Sequence, residues 1–478
     1  AGEGLDLAGQ VRIDELAYLK KRVGDIKLGM RYKQGEENGR QVDAGLSVDG
    51  SDAVRVKGAL ADGGSEGMDV KVSIPQFPLR LANVFTPEGT VGLEGFLRGQ
   101  VAITGAMDAP LLNGELAFQD GKAEAAMIGT TFSIDSVPLV IKDNVLDFNR
   151  WGIIAPNKRR LEFGGNVDFT SFADIKMNAS LKAKNFQVIG VEENDKTIVY
   201  GRAYMDLSTT IKGPLNALQV RGDVGILANT DINYALKSSP LEVSDKSEEV
   251  VRFVSFQDTL KVNKADTLEQ LKTTSLDLLL SVKIDPTVGM NVLLSSSNQD
   301  RVSIQGGGEL TYSLNPLGDS RLVGRYVLSG GLISYGLPVI GTKEFKIQDG
   351  NYVEWKGDLM NPDINVTAAE TISASVTDDS QNSRLVNFQA MIKVGGSLEK
   401  LDVAFDLSAT GDITIQNQLA GMTPEERAKE AMNLMLYGTY TAPGTVAKNN
   451  VSDNAINNLV EKELNEWSRK HLKGVDLS

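Results

Sequence analysis

Every second residue is apolar across Leu276-Asp277-Leu278-Leu279-Leu280-Ser281-Val282-Lys283-Ile284. The pattern returns in Val386-Asn387-Phe388-Gln389-Ala390-Met391-Ile392-Lys393-Val394 and in Leu401-Asp402-Val403-Ala404-Phe405-Asp406-Leu407. Successive side chains of a strand point to opposite faces, so each run lays an apolar stripe on one face of a sheet. The last two runs are largely polar on the other face. This grammar fills some four hundred residues with almost no predicted helix to cover the apolar side. What that face touches is the functional question.

A loose repeat of strand, Gly, short turn, strand and Gly runs through the chain. Ile103 and Gly105 lead through Pro110 to Gly114, Leu116, Phe118 and Gly121. Gly213 and Pro214 lead through Val220 to Gly222, Val224 and Ile226. Leu314 and Pro316 lead to Gly324, Tyr326, Leu328 and Gly330, and Val394 leads through Leu401 and Phe405 to Gly411. The glycines suit tight turns with positive φ. Strands every ten or so residues are an all-β signature, and repetition of one supersecondary unit predicts stacking. The expected fold is all-β: an elongated, curled β-sheet solenoid with short C-terminal α-helices.

Two segments break the pattern. Residues 244–275 read as an inserted polar loop or short helix, which divides a β-solenoid over 1–243 from a second over 276–415. Residues 416–478 read as helical. Thr423-Pro424-Glu425-Glu426 is a helix start, with Thr as N-cap, Pro at the first position and Glu426 closing a capping box. Ala428, Met432 and Met435 line one face up to Gly438. After a Gly/Thr/Asn-rich linker, Ile456, Leu459, Val460, Leu464 and Trp467 form one stripe of a longer amphipathic helix. That stripe either caps the end of the solenoid or docks against a membrane-embedded partner.

Composition narrows the chemistry. The net charge of −14 argues against a nucleic-acid partner, since phosphate binding needs clustered Lys and Arg. Lys20-Lys21-Arg22 and Lys158-Arg159-Arg160 read as solvated strand ends. No Cys is present, which removes disulfides, thiol catalysis and Cys-based zinc sites. The single His, His471, leaves too few ligands for a His-based metal site and no Ser-His-Asp triad. Gly306-Gly307-Gly308 lacks the Lys-Ser/Thr of a P-loop and reads as a bulge or tight turn. Asp378-Asp379 lies in a polar stretch that reads as a hairpin loop rather than a glycosidase pair. The chain is expected to be no enzyme and to carry no cofactor and no metal. It opens on Ala1 and shows no apolar run of membrane-spanning length, so it is read as a fragment or a processed chain.

One ordered set of motifs is more specific. Gly324-Arg325-Tyr326 with Gly330-Gly331 is followed by Phe345-Lys346-Ile347-Gln348-Asp349-Gly350 and by Val353-Glu354-Trp355-Lys356-Gly357. Asn361-Pro362-Asp363-Ile364, Ile392-Lys393-Val394-Gly395-Gly396, Met422-Thr423-Pro424-Glu425-Glu426 and Leu434-Met435-Leu436-Tyr437-Gly438 follow. This run, over roughly 300–440, resembles the C-terminal domain of the TamB translocation and assembly module family, within the AsmA-like, bridge-like lipid transfer group.

The resemblance implies a Gram-negative periplasmic protein held in the inner membrane by an N-terminal anchor that this chain lacks. It implies a curled, taco-like trough with a hydrophobic groove, and work with a TamA-type barrel in the outer membrane. The implied role is to move phospholipid between the two membranes and to support outer-membrane protein assembly. On that basis the expected groove lining for acyl chains is Leu276, Leu278, Leu280, Val282, Ile284, Val292, Phe388, Ile392, Val403 and Phe405. The expected partner-docking helix carries Ile456, Leu459, Val460, Leu464 and Trp467. Three other readings stay open at this point: a structural β-solenoid of adhesin or passenger type with a closed dry core, a strand template for outer-membrane barrels, and a polysaccharide-cleaving enzyme on a β-helix.

Overall fold

The computed structural model describes residues 5–18, 21–34, 40–60, 67–84, 86, 90–126, 128–193, 199–235, 276–293, 301–337, 341–359, 361–377, 383–397 and 400–441. The insertion at 244–275, the loop at Asp378-Asp379 and the stripe from Ile456 to Trp467 lie outside these residues. The chain is all-β, with 24 strands in one sheet and two short α-helices among the described residues.

The strands are β1 (Asp6–Tyr18), β2 (Lys21–Gln34), β3 (Arg40–Val48), β4 (Ser51–Leu60), β5 (Met68–Pro78), β6 (Val91–Ala106), β7 (Ala109–Ala125) and β8 (Thr130–Ile134). Next come β9 (Leu139–Lys142), β10 (Val145–Asp147), β11 (Gly152–Ile154), β12 (Arg160–Asp168), β13 (Lys176–Val191), β14 (Val199–Pro214), β15 (Leu218–Ile226) and β16 (Asp231–Ala235). The rest are β17 (Leu276–Leu293), β18 (Arg301–Leu314), β19 (Ser320–Leu337), β20 (Gly341–Ile347), β21 (Tyr352–Gly357), β22 (Asp363–Thr377), β23 (Ser383–Ser397) and β24 (Lys400–Thr410). The helices are α1 (Ile413–Ala420) and α2 (Pro424–Tyr437). Two compact units divide the chain: 1–232 with 275–283 and 312–316, and 233–274 with 284–311 and 317–478. The division therefore passes through β17.

In the first unit, β1 to β7 form an antiparallel meander in sequence order. The strands are longer than the glycine spacing predicts. β6 and β7 run for 16 and 17 residues, and the hairpin turns at Met107-Asp108. Gly99, Gly105, Gly114 and Gly121 therefore lie inside strands rather than at turns. Gly95 shows why. It sits at a register shift between Glu94 and Phe96 with φ +92°, and a Cβ there would lie 2.4 Å from the Asp120 carbonyl oxygen. Only Gly fits that approach at that φ. Gly306-Gly307-Gly308 is likewise no turn but mid-β18, where a Cβ at Gly308 would meet the Arg325 carbonyl oxygen of β19 at 2.0 Å.

Four short strands, β8 to β11, fill the space between β7 and β12. β9 and β10 bridge it at one level, and β8 and β11 at another. Trp151 lies there, its ring 5.5 Å from Phe118 and 5.0 Å from Phe163.

In the second unit, β20 and β21 both pair with β19 and with β22, so they form one strand interrupted at 348–351. The Asn351 side chain restores the ladder at the break. Its amide accepts from Thr367 N at 2.9 Å and donates to Thr367 O at 2.8 Å. Asn144 does the same for Leu112 N and Pro110 O, and Asn83 for both backbone groups of Leu93.

The capping box at Thr423 forms as the sequence predicts. Glu426 N donates to Thr423 Oγ1 at 3.2 Å, Thr423 N donates to Glu426 Oε2 at 2.8 Å, and Gly438 closes α2 in the left-handed region. The preceding α1 begins earlier than the sequence reading allowed. Its N-cap is Asp412, which accepts from Ile415 N and pairs with Arg384 Nε at 2.6 Å. Both helices pack onto β22 to β24. Ile415, Leu419, Ala431, Met432, Leu434 and Met435 join Ala374, Val386, Phe388 and Leu407 in the largest core cluster.

Candidate functional site

The register aligns the apolar stripes of successive strands into rows. In the first unit one row of directly paired residues runs Gly9, Met30, Ala44, Val56, Val72, Val101 and Gly114. It continues through Ile141, Leu146, Val167, Met177 and Gly213. This row crosses twelve strands and contains no polar side chain. Cross-strand partners share a face, so the row is a continuous apolar band. One residue along, a second row runs Arg31, Asp43, Lys57 and Lys71, with Lys57 Nζ 3.2 Å from Asp43 Oδ2. The two faces of the sheet are thus chemically opposite.

The apolar band is only partly covered. Val101 and Ile141 are buried, and most of the row is half-buried. Toward β1 it opens: Leu7, Val11, Leu28 and Met30 are 47–58% exposed. Leu28 is paired with Val11 and Leu46, and Met30 with Gly9 and Ala44, so these side chains form one contiguous patch. A contiguous apolar patch left exposed on a folded chain is a candidate binding surface.

The predicted lining residues divide into three groups. Leu276, Leu278, Leu280, Val282 and Ile284 are half-buried on one face of β17, alternating with exposed Leu279, Ser281 and Lys283. Val292 is half-buried on the same strand. Phe388 is placed differently. It is fully buried, its ring 4.8 Å from Tyr440, because α2 and the turn after it cover that part of β23. It is a core residue and not a groove wall. Ile392 and Phe405 are half-buried at the margin of the same core. Val403 pairs with Val394, and its side chain is outside the described residues.

Two features escaped the sequence reading. The apolar patch on β1 to β3 was legible in the alternation of Leu28, Met30 and Tyr32. The ion pair of Lys343 with Glu370, at 3.4 Å, was not, because its partners come from different strands. No group of His, Cys, Asp and Glu fit to hold a metal ion occurs among the described residues. No described helix is long and apolar enough to cross a membrane.

Residues 152–474 match the family model of the TamB C-terminal domain. The chain belongs to the TamB family. The match starts well before residue 300, so it takes in β11 to β16 as well as the motif-bearing segment. TamB membership makes this a protein of the Gram-negative envelope, in a family that serves outer-membrane assembly and lipid transport. No curated protein matches the chain.

Proposed function

We propose that this TamB chain is part of a periplasmic lipid-transfer conduit whose apolar face shelters the acyl chains of phospholipid between the inner and outer membranes. The observation that carries this reading is the twelve-strand row from Gly9 to Gly213, apolar throughout and open near β1. Hiding a tail from water is worth about 0.8 kcal/mol per CH₂. For two long acyl chains that is on the order of 25 kcal/mol, a prohibitive barrier without shelter. A band with no polar break lowers that barrier evenly, so a lipid slides rather than sticks. In this reading the full-length protein is anchored in the inner membrane and delivers to a TamA-type barrel. The chain is then a carrier and no enzyme.

The test is native mass spectrometry of gently purified protein, with phospholipid co-purifying on the unaltered chain. Leu280→Asp places a charge on the lining, and it is expected to reduce bound lipid while expression holds. A chain that carries no lipid, or a Leu280→Asp variant that carries as much, overturns the conduit.

A further inference from the structure

We propose that the Tyr440 ring holds the place of a phospholipid acyl chain against Phe388, and that the turn after α2 is the latch that admits the chain. The inference rests on the conduit reading. Gly438 ends α2 in the left-handed region, at φ +64°, and turns the backbone away from the helix axis. Two residues on, Tyr440 is 4% exposed and its ring lies 4.8 Å from Phe388. Phe388 is paired with Ala409 of β24 and with Ile372 of β22, which is half-buried at the margin of the same core. The apolar row thus runs from a residue that keeps part of its exposure to one that Tyr440 covers.

Two observations set this turn apart from the rest of the core. The Tyr440 hydroxyl is buried with no hydrogen-bond partner among the described residues. It has lost its water without replacement, and it regains a hydrogen bond by leaving. Its neighbour Thr441 is exposed, yet three hydrogen bonds hold it to α2. The Thr441 N–H donates to Glu430 Oε2 at 2.9 Å, and its hydroxyl donates to Glu430 Oε1 at 2.8 Å and accepts from Asn433 Nδ2 at 3.1 Å. Glu430 and Asn433 are buried beside the apolar Ala431, Met432, Leu434 and Met435 of the same helix. These two polar side chains serve the grip on Thr441.

The grip and the unpaired hydroxyl oppose each other. One holds the turn shut and the other favours opening, so the turn is poised rather than sealed. When it opens, α1 and α2 stay on the sheet and the covered side of the Phe388 ring is bared. An alkyl tail suits that space better than a phenol, because it fills it with apolar atoms and leaves no hydroxyl unpaired. Phe388 is then a core residue with the turn closed and a wall of the acyl subsite with it open.

The experiment is photo-crosslinking of the whole chain with phosphatidylethanolamine carrying a diazirine in its tail. Peptide mass spectrometry compares label on the peptide that holds Phe388 with label on β17. Tyr440→Phe keeps the ring and removes the unpaired hydroxyl, so label at Phe388 is expected to fall about fivefold while label on β17 holds. Thr441→Val removes the hydroxyl that two of the latch bonds use, so label at Phe388 is expected to rise about fivefold, again with β17 unchanged. Exchange of the backbone amide at position 441 is expected to slow in the first variant and to quicken in the second. Either variant labelled at Phe388 as the unaltered chain is, or shifted the other way, overturns the subsite alone. Label on β17 with none at Phe388 in any of the three chains does the same. If Thr441→Val fails to fold, Tyr440→Phe and the unaltered chain still decide. Label on no strand at all overturns the conduit and the subsite together.

Discussion

Alternation places a residue on a face, but coverage decides what the residue does there. Leu280 and Phe388 come from runs of the same grammar. Leu280 is half-buried, and Phe388 is sealed between β23 and Tyr440. Phe388→Ala removes a fully enclosed ring and leaves a cavity, which costs about 3–5 kcal/mol. Leu280→Ala gives up only part of a side chain's transfer free energy, about 1 kcal/mol. Urea unfolding of the two variants checks this contrast. Equal losses would mean that Leu280 also sits in a closed core. The basic clusters resolve at the same scale. Arg160 forms an ion pair with the buried Asp135, and Lys21 Nζ donates to the carbonyl oxygens of Asn83 at 2.6 Å and Thr86 at 2.9 Å. These cations hold loops and strand ends in place.

Elements in this chain are extended by side chains that act as backbone. Asn351 is 5% exposed and makes two hydrogen bonds to Thr367 across the break between β20 and β21. Asn351→Ala leaves the Thr367 N–H unpaired, while Thr367 O keeps the Gln348 N–H at 2.9 Å, so the cost is about 1–3 kcal/mol for one orphaned donor. Denaturant unfolding measures the loss, and the Thr367 amide is expected to exchange faster. The helices are held to the sheet by carboxylates. The Arg384 guanidinium and the Ile415 N–H keep the Asp412 carboxyl below its usual range. Burial alone would raise Asp406, but the Lys393 and Arg427 side chains and the Leu407 N–H outweigh it and leave it lowered. A carboxyl lowered in the folded state stabilises it fully above its unfolded value, near ~3.9, and that contribution is lost as pH falls through the folded value. Docking of α1 and α2 is therefore expected to be constant near neutrality and to weaken below about pH 4. Hydrogen exchange of helix amides against pH reads this directly. Undocking on raising the pH from neutral would contradict it.

At the scale of the whole molecule, one sheet carries two chemistries. The polar face pairs opposite charges across strands, as Arg325 and Glu354 do at 2.9 Å while Arg325 also lies 4.3 Å over the Tyr352 ring. Such exposed pairs contribute little stability each. They keep one face wetted and leave the other to apolar contact. In the second unit α1 and α2 turn part of that apolar face into a closed core. In the first unit the band near β1 has no such cover among the described residues. A closed dry core describes β22 to β24 well and leaves the exposed Leu28 and Met30 unexplained. Leu280→Asp puts a charge on this apolar face and leaves the closed core of β22 to β24 untouched.

The all-β class, the division of each strand into two faces, the capping box at Thr423 and the TamB motifs are legible in the sequence, since each is written in neighbouring residues. The sequence did not determine strand length, because Gly99 and Gly114 serve close approach inside β6 and β7 as readily as other glycines serve turns. The tertiary structure alone decided which apolar residues are covered. Phe388, Ile392 and Phe405 share one pattern, yet only Phe388 lies wholly under α2 and Tyr440. It alone brought Lys343 to Glu370 across two strands. Periodicity reports the direction of a side chain, whereas burial and pairing depend on what distant parts of the chain place above it.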